Sequence, residues 1–518
     1  MYIFAEMKTA SRTRRTVQNS RTSFLLFLFQ IFVGFYSRKV FLDYLGAEVL
    51  GVNTTLSNIL SFLNLTELGI GIAMSTSLYK PIVAQDQDGI CEILTVQGIL
   101  YKRIAIILCG LSIPILIAMP WIFPTVECGI SYVYVTYLVF LSSSITSYLW
   151  NYKQVLISAD QKNYILLPWI HGVRYIKIFL QLFFLLVVNL GFWGWIVLEF
   201  LAIIITVFVI NWLIMKEYPW LKNVSFPTRV LLRKYHDLII KTKQIFIHKI
   251  GLFVLEQTSP LIIYALVSLT MVTYYGNYMV IIGYMTTLMN VIFEGMGASI
   301  GSLVAENNKK HTLEVFWELF SSRLWISGCA CFGIYLFMSP FISIWIGDKY
   351  LLGETTLLIL VLTMFIRLIR TVTDSFNHAY QLFGDVWSPV VEGVINLGCS
   401  FMLGSVMGLN GILFGILLSV LVTGLFWKPY YLFSRGLKTP TRFYYYQWVL
   451  HVTILLGTAY GTLKLLNNLF VDNGIIGVII RQSVIFCCFV MISYILLFLT
   501  TKSMRRFTDR ILTIIHVK

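Results

Sequence analysis

The chain has 518 residues, of which 58% are hydrophobic and only 12% are charged, and its mean hydropathy of +0.80 excludes an ordinary soluble protein. Its formal net charge of +15 would suit a nucleic-acid-binding protein, but the basic residues are grouped in alternate connections between apolar segments. That distribution is typical of membrane topology. We therefore predict a polytopic membrane protein that has no nucleic-acid partner.

Apolar segments long enough to cross a bilayer follow one another along almost the whole chain. A spanning helix needs about 20 apolar residues, and we predict about fourteen such helices in an all-α fold. The second and eighth predicted spans contain several asparagines and one glutamate each, Glu67 and Glu294, which favours helices that line a polar channel. The predicted spans cover about residues 24–42, 52–79, 99–122, 131–151, 164–188, 193–214, 249–270, 274–303, 322–345, 355–377, 388–407, 410–432, 447–465 and 475–499.

Positive charge marks one side of the predicted membrane. Lys and Arg crowd the N-terminus, the connections after even-numbered spans and the C-terminus, whereas the opposite connections contain mainly Lys349 and Lys464. Because cytoplasmic loops carry the excess of basic residues, both termini are predicted to be cytoplasmic. The basic N-terminus leads directly into a helix too long for a signal peptide, so we expect no cleaved signal.

Similar local patterns recur about 220 residues apart, which indicates an internal repeat. A polar span ending in Glu and Gly occurs twice, an aspartate follows the fourth and the tenth span, and a glycine-flanked turn opens the sixth and the twelfth. The matched segments are 53–71 with 277–297, Ala159-Asp160 with Gly384-Asp385, and 191–194 with 408–411. Six spans per repeat is an even number, so the two halves should share one orientation.

These patterns predict two six-helix pseudo-symmetric lobes followed by two C-terminal helices. We assign residues 1–23 to a basic cytoplasmic N-terminus, 24–215 to the N-lobe, 216–248 to a cytoplasmic amphipathic linker, 249–432 to the C-lobe, 433–500 to the last two spans and 501–518 to a basic cytoplasmic tail.

The fifth predicted span contains two cations near the middle of the bilayer. His171, Arg174 and Lys177 recur at three-residue intervals, and Gln181 follows four residues later, so the four share one helix face. An Arg or Lys at a helix centre costs about 2.5–3.5 kcal/mol on the insertion scale, so each should face a polar cavity or a charged partner. No acid lies nearby in this span, which favours a wall that binds an anion. His171 by itself is typical of a core histidine.

The tenth predicted span contains a second cationic group. Arg367, Arg370, Asp374 and Asn377 recur at three- and four-residue intervals on one face, with Arg367 near mid-depth. One interpretation is that both arginines bind an anionic substrate. The alternative is that Arg370 and Asp374 form a structural ion pair while Arg367 packs against backbone carbonyls.

Other charged residues in the predicted spans have weaker patterns. Arg38 ends the first span near the outer surface. Its charge could reach the interface by snorkelling, or it could contact the substrate on the exit side. Five glutamates are candidate proton or sodium sites or counter-charges to the cations, and the structural role is favoured for any one of them. They are Glu67, Glu199, Glu256, Glu294 and Glu392. Pro260 lacks an N–H and opens the helix after Glu256, which makes that glutamate the most suggestive.

Motifs of enzymes do not occur in the sequence. It contains neither a phosphate-binding G-x-x-x-x-G-K-[ST] loop nor a zinc-binding H-E-x-x-H pair. We therefore expect neither an enzyme, nor a bound cofactor or metal, nor direct use of ATP. Proton or sodium coupling stays a candidate energy source.

Three short segments carry a resemblance to a known family. They are 45–51 (LGAEVLG), 67–71 (ELGIG) and 78–81 (LYKP). With the two lobes and two trailing spans, the chain resembles the polysaccharide-exporter branch, the Wzx-type O-antigen flippases, of the multidrug/oligosaccharidyl-lipid/polysaccharide (MOP) transporter superfamily. The resemblance covers nearly the whole chain, and its motifs are patterns of shape more than of chemistry.

The resemblance implies alternating access that carries an undecaprenyl-pyrophosphate-linked oligosaccharide across the bacterial inner membrane. Such a substrate belongs to O-antigen, capsule or exopolysaccharide synthesis, including lipopolysaccharide, so contacts with a polysaccharide polymerase and chain-length machinery are also implied. A pyrophosphate needs buried cations, and Arg and Lys bind phosphate oxygens well.

Two alternatives remain. A cation-coupled multidrug exporter of the same superfamily should have an acid-rich cavity, whereas the mid-depth charges of the fifth and tenth spans are mostly positive. A membrane glycosyl-transferring enzyme such as an O-antigen polymerase should have a large external loop and no parallel repeat.

Overall fold

The computed structural model describes residues 2–64, 70–124, 126–160, 162–222, 228–236, 258–294, 300, 303–304, 306, 308–380, 382, 384–385, 387–467 and 474–516. Side chains are described from residue 25 onward, except at 72, 73, 76, 228, 229, 291–294, 467, 511 and 514–516. Within these ranges every regular element is a helix. The all-α prediction is therefore confirmed. The chain divides into two compact units, Met1–Leu261 and Ile262–Lys518.

The first unit is a bundle of long helices. They are α1 (Tyr2–Leu63), α2 (Ile70–Ala84), α3 (Gln87–Ile122), α4 (Ile130–Leu149), α5 (Asn163–Phe183, extended by a π-helical turn, Phe184–Val188), α6 (Gly191–Glu217) and the short α7 (Thr228–Lys234). Helix α5 packs against both α1 and α6, and α3 packs against α2 and α4. Asn189, in the left-handed conformation, ends α5 and allows α6 to begin directly.

The second unit contains the remaining described helices. They are α8 (Leu269–Glu294), α9 (Lys309–Ile346), α10 (Glu354–Ala379), α11 (Ser388–Met407), α12 (Leu409–Val420, continued to Leu437 by Leu421–Trp427, Lys428–Tyr431 and Leu432–Leu437), α13 (Arg442–Asn467), α14 (Gly474–Thr500) and α15 (Lys502–His516). Helices α13 and α14 share a buried aromatic core with α9, α10 and α12. The two C-terminal spans are thus integral to this unit.

Eleven described helices are long and apolar enough to cross a membrane. One of them, Leu25–Leu63, merges the first predicted span with the start of the second, because α1 continues through a kink at Gly46. Gly46 has φ +84°, a conformation that a residue with a Cβ rarely adopts, so the chain changes direction there. Helix α8 matches the eighth predicted span, and residues 249–257 of the seventh lie outside the described residues.

Helix α9 begins well before the predicted ninth span, which the sequence placed at about residue 322. The side chain of Asn308 accepts a hydrogen bond from the His311 N–H and caps the helix before Lys309. The first turns contain Glu314 and Glu318, so a hydropathy pattern does not detect them. These two carboxylates instead pair with Arg506 (3.4 Å) and Arg510 (2.9 Å) of α15 and fix that helix against α9.

Helices α11 and α12 approach so closely that backbone meets backbone. A Cβ on Gly411 would lie 2.0 Å from the carbonyl oxygen of Leu403, and one on Gly415 would lie 2.5 Å from the Ser400 nitrogen. The four-residue spacing of these glycines predicts close helix packing, and the structure confirms it.

The two aspartates matched by the sequence repeat are held in similar ways within their own units. Asp160 accepts a hydrogen bond from the Tyr218 hydroxyl (2.9 Å) and pairs with Lys162 (3.0 Å). Asp385 accepts one from the Trp427 indole (2.8 Å) and pairs with Lys428 (3.0 Å). In each unit an aspartate in a connection is thus tied to an aromatic residue at or near the end of the helix two spans later. The matched residues therefore have matching structural roles.

Candidate functional site

The cationic face of α5 meets a carboxylate from the neighbouring helix. Lys177 Nζ lies 2.8 Å from both carboxylate oxygens of Glu199 on α6. The Gln181 amide donates to the same carboxylate (3.1 Å) and to the carbonyl oxygen of Trp195 (3.1 Å). Because α5 itself contains no acid, the sequence suggested that Lys177 binds a ligand. Its partner Glu199 instead lies 22 residues later, on the next helix of an antiparallel hairpin. Its part in substrate binding stays a prediction.

Arg174 on α5 has different surroundings. Its side chain is exposed, and in the described part of the chain its guanidinium makes no hydrogen bond and no ion pair. It lies eleven residues after Asn163, or about 17 Å along the helix axis, close to the middle of the span. Arg174 is thus a mid-depth cation whose charge no described carboxylate neutralises.

His171 lies one turn before Arg174 and is half-buried. Its ring packs against Tyr175, with 5.8 Å between the ring centroids. Its Nδ1 is buried and has no hydrogen-bond partner among the described residues. A donor group of a ligand, or a bound water, would satisfy this nitrogen.

Arg370 on α10 is held by two carboxylates. Its Nε donates to Asp374 (3.1 Å), as the four-residue spacing predicts, and its Nη1 donates to both oxygens of Glu392 on α11 (3.1 and 2.9 Å). The Glu392 side chain is only 3% exposed, so this is a buried ion pair that joins two helices. Two acids surround one cation, and the arrangement fits the structural interpretation of Arg370.

Arg367, one turn earlier on α10, is half-buried and has no hydrogen bond or ion pair with any residue whose side chain the structure describes. It lies thirteen residues after Glu354, about 20 Å along the helix. The second unit therefore contains a mid-span cation of the same kind as Arg174 in the first unit.

Arg323 on α9 was missed by the sequence analysis. It is only 1% exposed, and it donates to the carbonyl oxygens of Leu368 (3.0 Å) and Met289 (3.1 Å) and to the Asn290 side chain (3.2 Å). The predicted ninth span places Arg323 at its edge, where snorkelling alone would keep the guanidinium in water. The buried residues Phe316 and Phe320, at four-residue spacing before Leu324, were the signal that the buried face extends past it.

The remaining candidates lie on another helix or outside the described residues. Arg38 is half-buried on α1 and has an interaction partner. Glu67 and Glu256 lie outside the described residues, and so does the side chain of Glu294. Their assignment to ion coupling or charge pairing stays a prediction.

Several solved transporters have a similar fold. An inward-facing multidrug resistance MATE family transporter of the MOP superfamily matches 79% of this chain and 95% of its own, with a TM-score of 0.58 and 16% identity. The lipid II flippase MurJ in an inward closed conformation matches 93% and 99%, with a TM-score of 0.63 and 13% identity. A MATE protein in complex with MaD3S matches 82% and 97%, with a TM-score of 0.52 and 16% identity.

At these low identities the matches show only that the chain shares a fold with these solved transporters. The sequence itself matches no protein-family model and no curated protein.

Proposed function

We propose that this protein moves an undecaprenyl-pyrophosphate-linked oligosaccharide across the bacterial inner membrane by alternating access. The fold is shared with a lipid II flippase and with multidrug exporters, which supports membrane transport in general. The observation that carries the finer proposal is Arg174, an exposed guanidinium in mid-span that no described carboxylate neutralises.

The energetic argument starts from the cost of that charge. An arginine at the centre of a spanning helix costs about 2.5–3.5 kcal/mol on the insertion scale, and an ion pair within the protein would offset part of that cost. Lys177 has such a partner in Glu199, but Arg174 does not. A substrate with a pyrophosphate group would supply the missing negative charge, and a guanidinium binds phosphate oxygens in a bidentate manner.

The second unit supports the same interpretation. There Arg370 is neutralised by Asp374 and Glu392, whereas Arg367 has no acidic partner among the described residues. Helices α5 and α10 therefore each combine a cation in a protein ion pair with a cation that has no described acidic partner.

A multidrug exporter is the rival function. An exporter of cationic drugs needs unpaired carboxylates in its spans, but Glu199, Asp374 and Glu392 each pair with a cation. Glu256 and Glu294 remain candidates for proton or sodium coupling in either case. The described charges thus favour an anionic substrate.

The test is the lipid fraction of a strain that lacks the gene. We expect an undecaprenyl-pyrophosphate-linked oligosaccharide to accumulate, and we expect vesicles that contain the purified protein to move this lipid but not an analogue with a neutral headgroup. A deletion strain with an unchanged lipid fraction would refute the proposed substrate. Equal transport of both lipids would refute the role of the arginines in binding the pyrophosphate.

A further inference from the structure

The first unit contains an open cavity whose lining extends along α5 as far as Ile170, next to His171 of the cationic face. It has a volume of about 620 Å³, within the about 300–1,000 Å³ range of small-ligand pockets. One face of α2, the end of α4 and the beginning of α5 line it, together with the first half of α3 and the short helix Gln154–Ala159. By the positive-inside rule, this end of the unit is predicted to be cytoplasmic.

The lining is neutral, aromatic and rich in amides. None of the described lining residues has a formal charge. Three are tyrosines, Tyr79, Tyr101 and Tyr152, and three serines and three side-chain amides supply further polar atoms. Burial raises the pKa of Tyr152 above its ordinary value, so this phenol stays protonated. The described part of the lining therefore presents no charge to a ligand.

One of the amides points to an occupant. Gln97 on α3 is only 1% exposed and lines the cavity, and its Oε1 is buried without a hydrogen-bond partner in the described part of the chain. A buried amide oxygen without a partner destabilises the fold unless a ligand or a water donates to it. The other two amides, Gln154 and Asn163, lie on different elements around the cavity, and Asn163 already accepts a hydrogen bond from Ser158 (2.8 Å).

The tyrosines suit polyhydroxylated rings that present C–H groups on one face. Tyr101 and Tyr152 lie edge to face, with centroids 6.5 Å apart and an interplanar angle of 90°. Tyr152 is half-buried and offers apolar ring surface to the C–H groups of a sugar and a hydroxyl at the rim, whereas Tyr101 is only 4% exposed and packs behind it. A pyrophosphate would find no cation among the described lining residues, and a cationic drug would find no carboxylate.

We infer that this cavity binds neutral sugar residues, and that it holds part of the glycan of the substrate before translocation. The inference rests on the proposed function, and it divides recognition between two places: cations for the pyrophosphate and this cavity for the sugars. The Gln97 amide oxygen accepts a hydrogen bond from a sugar hydroxyl, and Tyr152, supported by Tyr101, contacts the ring.

The experiment measures binding of free sugars to the purified full-length chain by saturation-transfer NMR. The probes are glucose, galactose, N-acetylglucosamine and their disaccharides, without lipid or phosphate. We expect at least one to bind to the wild-type protein and its affinity to fall about tenfold in Gln97→Leu, because the variant loses one buried hydrogen bond. Leucine is similar in size and removes an unpaired polar atom, so the fold should be retained.

Gln30→Leu is the matched control, because it makes the same change on α1 at a residue that does not line the cavity. It should bind the sugar as the wild type does. Tyr152→Phe removes only a hydroxyl. It should lower the affinity for the same sugar, by less than Gln97→Leu does. Absence of binding by any probe, or equal affinity of wild type and Gln97→Leu, would overturn the inference.

Failure of this inference and failure of the proposed function have different signatures. If lipid-linked oligosaccharide is transported equally by wild type and Gln97→Leu, and no free sugar binds, the cavity is not a glycan site although the function stands. If a free sugar binds in a Gln97-dependent manner but the lipid-linked oligosaccharide is not transported, the site stands and the proposed function fails.

Discussion

The two cations of α5 should respond differently to the same substitution. Arg174→Met removes a charge that no described group neutralises, so abundance should stay near the wild-type level while export is lost. Lys177→Met leaves the Glu199 carboxylate without its cation, which should destabilise the protein by about 1–3 kcal/mol. Immunoblots and complementation of a deletion strain measure the two effects.

The double variant Lys177→Met/Glu199→Gln separates the ion pair from the ligand. Because a neutral amide needs no cation, its thermal stability should return toward that of the wild type. Full export by Arg174→Met would contradict the role of Arg174, and an unchanged stability of Lys177→Met would contradict the structural role of the pair.

The arginines of α10 provide the corresponding test in the second unit. Arg370→Met leaves Glu392 buried with no cation, so the loss of stability should be large, about 3–5 kcal/mol. Arg367→Met breaks no described ion pair and should reduce transport without this loss. Thermal unfolding of the purified variants and vesicle transport measure both outcomes. Transport by Arg367→Met at the wild-type rate would place the pyrophosphate site elsewhere.

These contrasts show what the sequence could predict about the candidate residues. The pair Arg370–Asp374 follows from helical spacing alone, since both residues lie on one helix. The pair Lys177–Glu199 and the contact of Arg370 with Glu392 join different helices, so they depend on the rotation of each helix about its axis. Hydropathy does not fix that rotation, and the sequence therefore found the charges but not all of their partners.

At the element scale, Asp160 and Asp385 should differ in how much they stabilise their units. The Asp385 side chain is 4% exposed and the Asp160 side chain 17%. Asp385→Asn removes the described ion pair of Lys428, so we expect a loss of about 1–3 kcal/mol. In Asp160→Asn, Lys162 keeps Glu217 at 3.4 Å, so the loss should be under about 1 kcal/mol. Thermal unfolding of the two variants measures which one loses more stability, and an equal loss in both would contradict this prediction.

Helix boundaries show where a sequence pattern stops being informative. Most spans were found because about 20 apolar residues are needed to cross the bilayer. The predicted ninth span does not include the first turns of α9, because these turns are stabilised by a cap at Asn308 and by ion pairs with α15. The same extension buries Arg323, whose partners are backbone carbonyls that no sequence pattern identifies.

At the scale of the whole molecule, the alternation of basic and neutral connections predicts which end of each span faces the cytoplasm. Within the first unit this gives α3 a cytoplasmic N-terminus, and the linker helix α7 should then lie at the same end. In the structure Lys234 and Tyr235, at the end of α7, bind Glu92 near that N-terminus of α3, with 2.7 Å from the Tyr235 hydroxyl to the carboxylate. The positive-inside rule assigns α7 and the N-terminus of α3 to the cytoplasmic side, and the structure places them in contact.

The same topology predicts that Cys128, in the connection between α3 and α4, faces the outside. A membrane-impermeant maleimide should label it in intact spheroplasts, and Cys128→Ser should remove that labelling. Burial raises the pKa of the Cys128 thiol, and the nearby Glu48 carboxylate raises it further. Because the thiolate is the reactive form, labelling should require a higher pH than a free thiol of pKa about 8.5. Labelling of Cys128 only after the membrane is permeabilised would reverse the predicted orientation.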